Sequence, residues 1–390
     1  MHSYSQAGTT RRRSLGLVLS SLFGKETLLG IDIGSSCIKA VQLEPTPRGW
    51  ELVNAAVMPT PIDAIKEGVV INIVDVSHGI RSMLKDAGIK ATGAICAISG
   101  SQVIVRQVQF PKMPEAVLRK SIKYEASKHI SASVEDGAVE FEILGDVPDE
   151  NLMNVMLVAA PREMVDSRIK VIESAGLDPL SVDVEAFALI RSLVEFSASD
   201  EYLHKTVALI DMGASHTDVN IVSRGEFALT RNIPIAGNSF TNAVKSLAGV
   251  PVEEAERLKI EMTADTPLDQ INAHDADNRC RQVVQPLLDE LVREIRRSIH
   301  YYQSQFPEGS SDALVSKVVL TGGSARMKGI DTYMSHKLSI RTEIADVFNQ
   351  TAINTSRVPS DFLAEHGPVL AVVTGLALKE LVPETKRKAA

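Results

Sequence analysis

The sequence predicts an α/β protein built as two lobes with a duplicated core, and three observations lead there. Residues 28–43 read as two apolar strands flanking the turn Asp32-Ile33-Gly34-Ser35-Ser36, which is a β-hairpin pattern. Residues 207–222 repeat the device around Asp211-Met212-Gly213-Ala214-Ser215. A repeat this widely spaced is no solenoid; it suggests two similar domains presenting equivalent hairpins to one shared ligand. Third, the apolar stretch 317–320 ends in Thr321-Gly322-Gly323-Ser324 and is expected to pass into a helix, a turn that lets a nucleotide approach a helix N-terminus.

Composition sets the outer limits. A chain of 390 residues has room for two or more domains with ample core. Its 44% hydrophobic content is that of an ordinary globular protein. A net charge of −8 argues against a general nucleic-acid binder. Cys37, Cys96 and Cys280 form no CxxC pair, which fits a reducing compartment, and the histidines show no HExxH or other metal spacing.

In chain order, residues 1–26 read as a flexible leader. Arg11-Arg12-Arg13 precede an apolar run at 15–23 that superficially resembles a signal peptide. The run is too short to span a bilayer and no Ala-x-Ala site follows it; a weak interfacial contact with a membrane stays open. The first lobe core is expected over 27–100, 177–205 and 366–390. Within it, the hairpin is followed by a strand at 50–57, a helix around Ile80, Met83 and Leu84 stopped by Gly88, and a buried strand at 94–98. Residues 101–176 read as an inserted small α+β domain: a strand at 103–110, a helix at 114–128, strands at 138–144 and 152–159, and a helix from Pro161 to Gly176. His129 reads as a surface histidine. The second lobe core is expected over 206–235 and 282–365, with a subdomain at 236–281 whose Asp-rich stretch 264–279 reads as a loop. Arg293, Arg296 and Arg297 fall on the solvated face of the long amphipathic helix that follows. Residues 367–378, rich in small side chains, suit close packing between domains.

The candidate chemistry lies on the two turns. Gly34 allows close backbone approach, while Ser35 and Ser36 add donors of the kind that hold phosphate oxygens. Asp32 is placed to hold a hydrated Mg²⁺, which takes one or two carboxylates plus phosphates, and Lys39 returns on the second strand toward the same phosphates. Glu185, at the start of a helix, either complements the helix dipole or polarises an attacking water. Glu256 and Lys259, one turn apart, are either a solvated ion pair or a clamp on a ribose. Neither GxxxxGK[ST] nor GxGxxG occurs at the Gly-Gly-Ser turn, so a P-loop or dinucleotide fold lacks support.

Two Asp-x-Gly hairpins, a Gly-Gly-Ser turn and two connecting helices, in this order, resemble the actin-like ATPase superfamily. The resemblance covers nearly the whole chain. It implies the duplicated ribonuclease H-like fold, with two lobes around a cleft that binds ATP and Mg²⁺. On that resemblance Asp32, Gly34, Ser35, Ser36 and Lys39 match the first phosphate motif. Asp211, Gly213, Ala214, Ser215 and Thr217 match the second. Gly322, Gly323 and Ser324, with Met327 nearby, match the adenosine motif, and Glu256 and Lys259 resemble the sugar- and base-side contacts. Asp32 and Asp211 would then hold the metal.

Residues 29–36, Phe110-Pro111-Lys112-Met113-Pro114 and residues 182–187 are worded like the PilM family of type IV pilus assembly, as is the location of the insertion. This implies a cytoplasmic scaffold, peripheral at the inner membrane through its partners, in the machinery of twitching motility. It implies a groove between first lobe and small domain that holds the N-terminal peptide of PilN, a link to the pilus motor ATPases, nucleotide-dependent partner binding, possible self-association, and slow or negligible ATP hydrolysis. An FtsA-like division protein is the alternative, although the tail after Leu381 lacks that family's amphipathic targeting helix. A metabolite kinase of the same superfold lacks a convincing catalytic Asp beside an acceptor pocket.

Overall fold

A computed structural model describes residues 28–47, 49–129, 136–262, 276–307 and 309–379. The leader, residues 264–275 of the Asp-rich stretch and the basic tail lie outside the described residues.

The first lobe is laid down by alternating β-branched and small residues. Strands β1 (Leu28–Ile33), β2 (Cys37–Thr46) and β3 (Gly49–Pro59) form an antiparallel meander. The short hairpin β4 (Ile65–Lys66) and β5 (Val69–Val70) leads to α1 (Ile73–Asp86). Asn72 caps that helix by accepting from Asp75 N at 3.2 Å, and the chain leaves it at Gly88 as the sequence indicates. Strand β6 (Gly93–Ile98), apolar throughout and fully buried, then joins β1 in parallel.

The inserted unit comprises β7 (Ile104–Pro111), α2 (Glu115–Ser127), β8 (Gly137–Asp146) and β9 (Leu152–Pro161), whereas α3 (Arg162–Ser174), which the sequence division places with it, packs in the first-lobe core through Val171 and Ile172. Its strands form a separate antiparallel sheet in the order β7-β9-β8, covered by α2 through Phe110, Leu118, Ile122 and Leu157. Strand β10 (Asp178–Val184) returns to pair with β6, and α4 (Glu185–Ile190) follows directly.

The second lobe repeats the plan. Strands β11 (Thr206–Met212), β12 (Thr217–Ser223) and β13 (Glu226–Ile233) form the antiparallel meander. Helices α5 (Gly237–Ala248), α6 (Val252–Glu261) and α7 (Ala276–Gln303) come next. Strand β14 (Val315–Thr321), α8 (Ile330–Leu338) and β15 (Thr342–Ile344) then extend the sheet in parallel. The order β13-β12-β11-β14-β15 corresponds strand for strand to β3-β2-β1-β6-β10, so the duplication read from two hairpins extends to both sheets. Short α9 (Val347–Gln350), β16 (Ile353–Asn354), α10 (Ser360–His366) and α11 (Ala371–Ala377) close the described chain.

Three local expectations change. Helix α7 begins at Ala276, inside the stretch read as a loop, because its polar first turns give no apolar signal although its later face fills the lobe core through Val284, Leu288, Leu291 and Ile295. After Gly322 the chain makes a 3₁₀ turn, Gly323–Arg326, and α8 starts only at Ile330. Arg293, Arg296 and Arg297 are exposed as expected. Ile353 and Asn354 pair with Trp50 and Glu51, which carries this segment to the edge of the first sheet although the sequence division leaves it with the second lobe.

Helices α4 and α11 lie between the two sheets. Their apolar faces share one cluster with Val41 and Leu43 of the first lobe and Val207, Leu209 and Val319 of the second. The approach is closest where Gly375 meets Ala188: a Cβ built on Gly375 would lie 1.8 Å from the Ala188 carbonyl oxygen. Gly30 of β1 meets the other side of α11, its own added Cβ falling 2.4 Å from Val373 O. The small residues of 367–378 therefore set how near the hinge helix comes to both neighbours.

Candidate functional site

The two acidic turns face each other across the cleft. Each turn is closed in the same way: Gly34 N donates to Cys37 O at 3.2 Å, and Gly213 N donates to His216 O at 3.1 Å. The tips touch, with Ser35 Oγ and Ser215 Oγ 3.1 Å apart although 180 residues separate them. Ser36 is exposed beside Ser35. The second turn is seated on the start of α5, where Gly237 N donates to Gly213 O at 3.1 Å and Asn238 N to Ala214 O at 2.8 Å.

The strand register places the charges. Asp32 and Lys39 are cross-strand partners at the end of the first hairpin, and Lys39 Nζ donates to Asp32 Oδ2 at 2.8 Å. Burial opposes the charge of Lys39, yet the carboxylates of Asp32 and Asp211 hold it protonated above its ordinary range. Asp211 occupies the equivalent place on the second hairpin. Burial, then the charge of Asp218, pushes its carboxyl up to about 6, with Lys39 pulling the other way. Glu185, the first residue of α4, is pushed up to about 8 by burial and by Asp32, against His216. His216 loses stability as a cation through burial, but its hydrogen bond to Asp218 and the charges of Asp218 and Glu185 raise it to about 9. Four carboxylates thus converge on one lysine and one imidazole, an environment that favours a cation.

The Gly-Gly-Ser turn braces this arrangement. Gly322 has φ +89°, and a Cβ there would sit 2.3 Å from Asp211 Oδ1 and 2.6 Å from Met212 O. A side chain at this position would displace the carboxylate itself. Ser324 Oγ donates to Gly213 O at 3.0 Å, so its hydroxyl holds the second turn. Gly323 has open space around it.

Other sequence candidates make local contacts. Thr217 is fully buried and its Oγ1 donates to Ile235 O at 2.8 Å. Met327 is buried in the second-lobe core. Glu256 accepts two bonds from Lys259 Nζ, both at 2.7 Å, and one from Thr241 Oγ1 at 2.5 Å. Lys259 is buried, so the pair is an anchored contact between α5 and α6 rather than a freely solvated one. His129 stacks edge-on against Phe110.

Three site residues went unremarked in the sequence reading. His216 sits inside the second hairpin and bonds Ser215 Oγ through Nδ1 at 2.8 Å and Ser99 Oγ through Nε2 at 3.1 Å. Asp218 lies 3.3 Å from His216 Nε2 and accepts from Asn232 Nδ2 at 2.9 Å. Arg168 of α3 is buried beneath β6, donates to Ala97 O at 3.3 Å, and sends its field toward Glu185 and Asp32. A charged pair two residues apart where the second turn enters β12 was the available signal for His216 and Asp218.

A second concavity lies apart from the cleft. A groove of about 930 Å³ runs between the first lobe and the inserted unit, with Val69, Ile73, Ile104 and Ala159 on its walls and both cations (Arg162, Lys170) and carboxylates (Asp136, Glu163, Asp166) lining it.

Comparison with known proteins gives a consistent result. Residues 30–381 match the family described as type IV pilus assembly protein PilM. The solved PilM–PilN type IV pilus biogenesis complex superposes with a TM-score of 0.78 at 27% identity, over 91% of this chain and 99% of that one. The cell division protein FtsA of Pseudomonas aeruginosa is 25% identical over 354 residues, 80% of this chain and 81% of its own. FtsA of Escherichia coli K12 is 22% identical over 372 residues, 84% and 86% of the two chains. MreB 5 of Spiroplasma citri, solved with AMPPNP, shares the fold at a TM-score of 0.51 and 14% identity, over 93% and 97% of the chains.

Proposed function

The chain belongs to the PilM family of type IV pilus assembly proteins, and on that premise we propose that it is an ATP-binding scaffold at the cytoplasmic face of the inner membrane. The observation that carries this reading is the meeting of the two acidic turns at Ser35 and Ser215. Residues that touch across a cleft from both lobes can hold one ligand from both sides, and a triphosphate with Mg²⁺ matches what they offer. Ser35, Ser36, Ser215 and the backbone of the glycine turns donate to phosphate oxygens, and Lys39 neutralises them. Asp32 and Asp211 take the metal through its waters. Nucleotide bound there stabilises one lobe arrangement and so biases whatever partner prefers it. Glu185 at the start of α4, its carboxyl raised by burial and by Asp32, stands in the same cleft and is the residue that would polarise an attacking water.

The partner surface follows from the groove. We assign it to the N-terminal cytoplasmic peptide of PilN, through which the protein joins the membrane complex and links it to the motor ATPases. Apolar walls with a rim of mixed charge suit a short extended segment with aliphatic side chains. A fluorescent peptide of the PilN N-terminus should bind saturably in a polarisation assay. Ser101→Trp, at the groove and away from the cleft, should weaken it by about tenfold or more, a loss of ~1.4 kcal/mol. Absence of binding both with and without Mg·ATP would contradict the assignment.

A further inference from the structure

The outward ridge of α2, on the inserted unit, has no role in the reading above. Leu118, Ile122 and Ala126 of this helix pack on the inserted sheet. Val117 and Tyr124, seven residues apart, share the side turned away from it and are 50% and 67% exposed. Lys120, Lys123 and Lys128 are exposed around them, and Lys128 Nζ sits 4.4 Å from the centre of the Tyr124 ring. We propose that this ridge rests directly on an anionic bilayer. The inference builds on the reading of the neighbouring groove as the seat of a membrane protein's peptide.

Charge and residue type favour lipid as the occupant. The whole chain carries −8, so an anionic surface repels it on average. Helix α2 departs from that average, with Arg119, Lys120, Lys123 and Lys128 set against Glu115 and Glu125. Both carboxylates are held by cations, Glu115 by Arg119 at 3.0 Å and Glu125 by Lys128 at 2.9 Å. The cations of the ridge itself are lysines. Arg119 is turned back toward the sheet, 4.9 Å from the centre of the Phe141 ring and 3.4 Å from Glu140 Oε2. Protein interfaces are enriched in arginine and depleted in lysine, the reverse of this surface. Lysine stems lie along apolar surface while their heads reach charged headgroups, and a tyrosine ring suits the boundary between lipid and water.

Position points the same way, because α2 ends beside the groove. The carbonyl of His129, two residues past the helix, accepts from Arg106 Nη1 at 3.0 Å. Two residues earlier on β7, Ile104 lines the groove together with Ala159, its cross-strand partner on β9. A peptide seated there and leading to a bilayer brings this end of the inserted unit, with Lys123, Tyr124 and Lys128, to the lipid surface.

The test is flotation of the full-length chain with vesicles of phosphatidylethanolamine and phosphatidylglycerol, and separately with vesicles of phosphatidylcholine alone. The protein should float with the anionic vesicles only, and less as salt rises. Each lysine near such a surface is worth about fivefold in affinity, so Lys120→Gln with Lys123→Gln should weaken binding about 25-fold. Both positions are exposed, and a wild-type melt of this variant shows that the loss is not unfolding. Arg11→Gln, Arg12→Gln and Arg13→Gln together, in the leader, should cost less than the change on α2. The proposal is overturned if no vesicle binds, if neutral and anionic vesicles bind alike, or if the α2 variant floats as the wild type does. The PilN peptide assay on the same samples separates the two readings. Peptide bound without vesicles removes the lipid contact and leaves the groove assignment standing; vesicles bound without peptide remove the groove assignment instead.

Discussion

Asp32→Asn and Asp211→Asn should each weaken Mg·ATP binding about 10- to 100-fold, and the double variant should show no measurable binding. Each substitution keeps shape and hydrogen-bonding capacity but removes a charge from the metal's surroundings. Losing one charge-assisted contact costs about 1.5–3 kcal/mol, which sets that range. The two positions differ in their side effects. Asp32 is the direct partner of Lys39, so its neutralisation also leaves a buried ammonium less compensated and lowers stability. Asp211 has no direct lysine bond, and its substitution relieves repulsion with Asp218. Asp211→Asn should therefore lose nucleotide with little loss of melting temperature, whereas Asp32→Asn should lose both. Calorimetry against Mg·ATP with a parallel thermal melt checks this, and wild-type affinity in either variant would remove that carboxylate from the metal site.

Gly375→Val should be strongly destabilising, its added Cβ meeting the closest contact of any glycine among the described residues. The helix pair α4 and α11 meets where even a Cβ at 375 would penetrate the Ala188 carbonyl, 1.8 Å away, and the atoms in the way are backbone. The core cannot absorb this by turning a side chain, so α11 must shift off α4 and off β1 together. Overpacking of this kind costs about 3 kcal/mol or more. Gly367→Ala, eight residues earlier and with nothing within 4 Å, is the control and should melt like the wild type. A wild-type melt for Gly375→Val would show that the hinge helices are not held at the observed approach. Because α11 joins the first sheet to α4, which in turn meets β12 and β13 of the second lobe, the variant should also lose nucleotide in proportion to its unfolding.

Legibility of the sequence followed the range of the interaction. Asp32 and Lys39 were readable because a hairpin fixes its own register, so residues near one turn are partners without help from the rest of the fold. The lobes' shared plan was readable because both turns carry Asp-x-Gly and both are closed by the same backbone bond. The contact between Ser35 and Ser215, and that between Ser99 and His216 across 117 residues, depend on lobe closure, which no local pattern encodes. His216 was passed over because spacing rules look for ligands along one helix, whereas here a strand and a helix start are brought together by tertiary structure. Side-chain direction was the other gap. Ser324 and Thr217 lie in the matching motifs, but their hydroxyls serve backbone carbonyls of the second lobe. The start of α7 was misread because helix propensity in a polar first turn is a weak prior, overridden by packing of the later turns.

The account depends on one cleft being closed on one ligand by two turns. Ser35→Cys with Ser215→Cys, in a Cys37→Ser background, joins the turns at the point where their hydroxyls now lie 3.1 Å apart. Cys96 and Cys280 are buried and stay out of the reaction. Oxidised, the pair should form a disulfide that shuts out Mg·ATP; reduced, the same protein should bind it with near wild-type affinity. Nucleotide that binds the oxidised and reduced forms equally would contradict the account, since it would then be entering somewhere other than between the two turns.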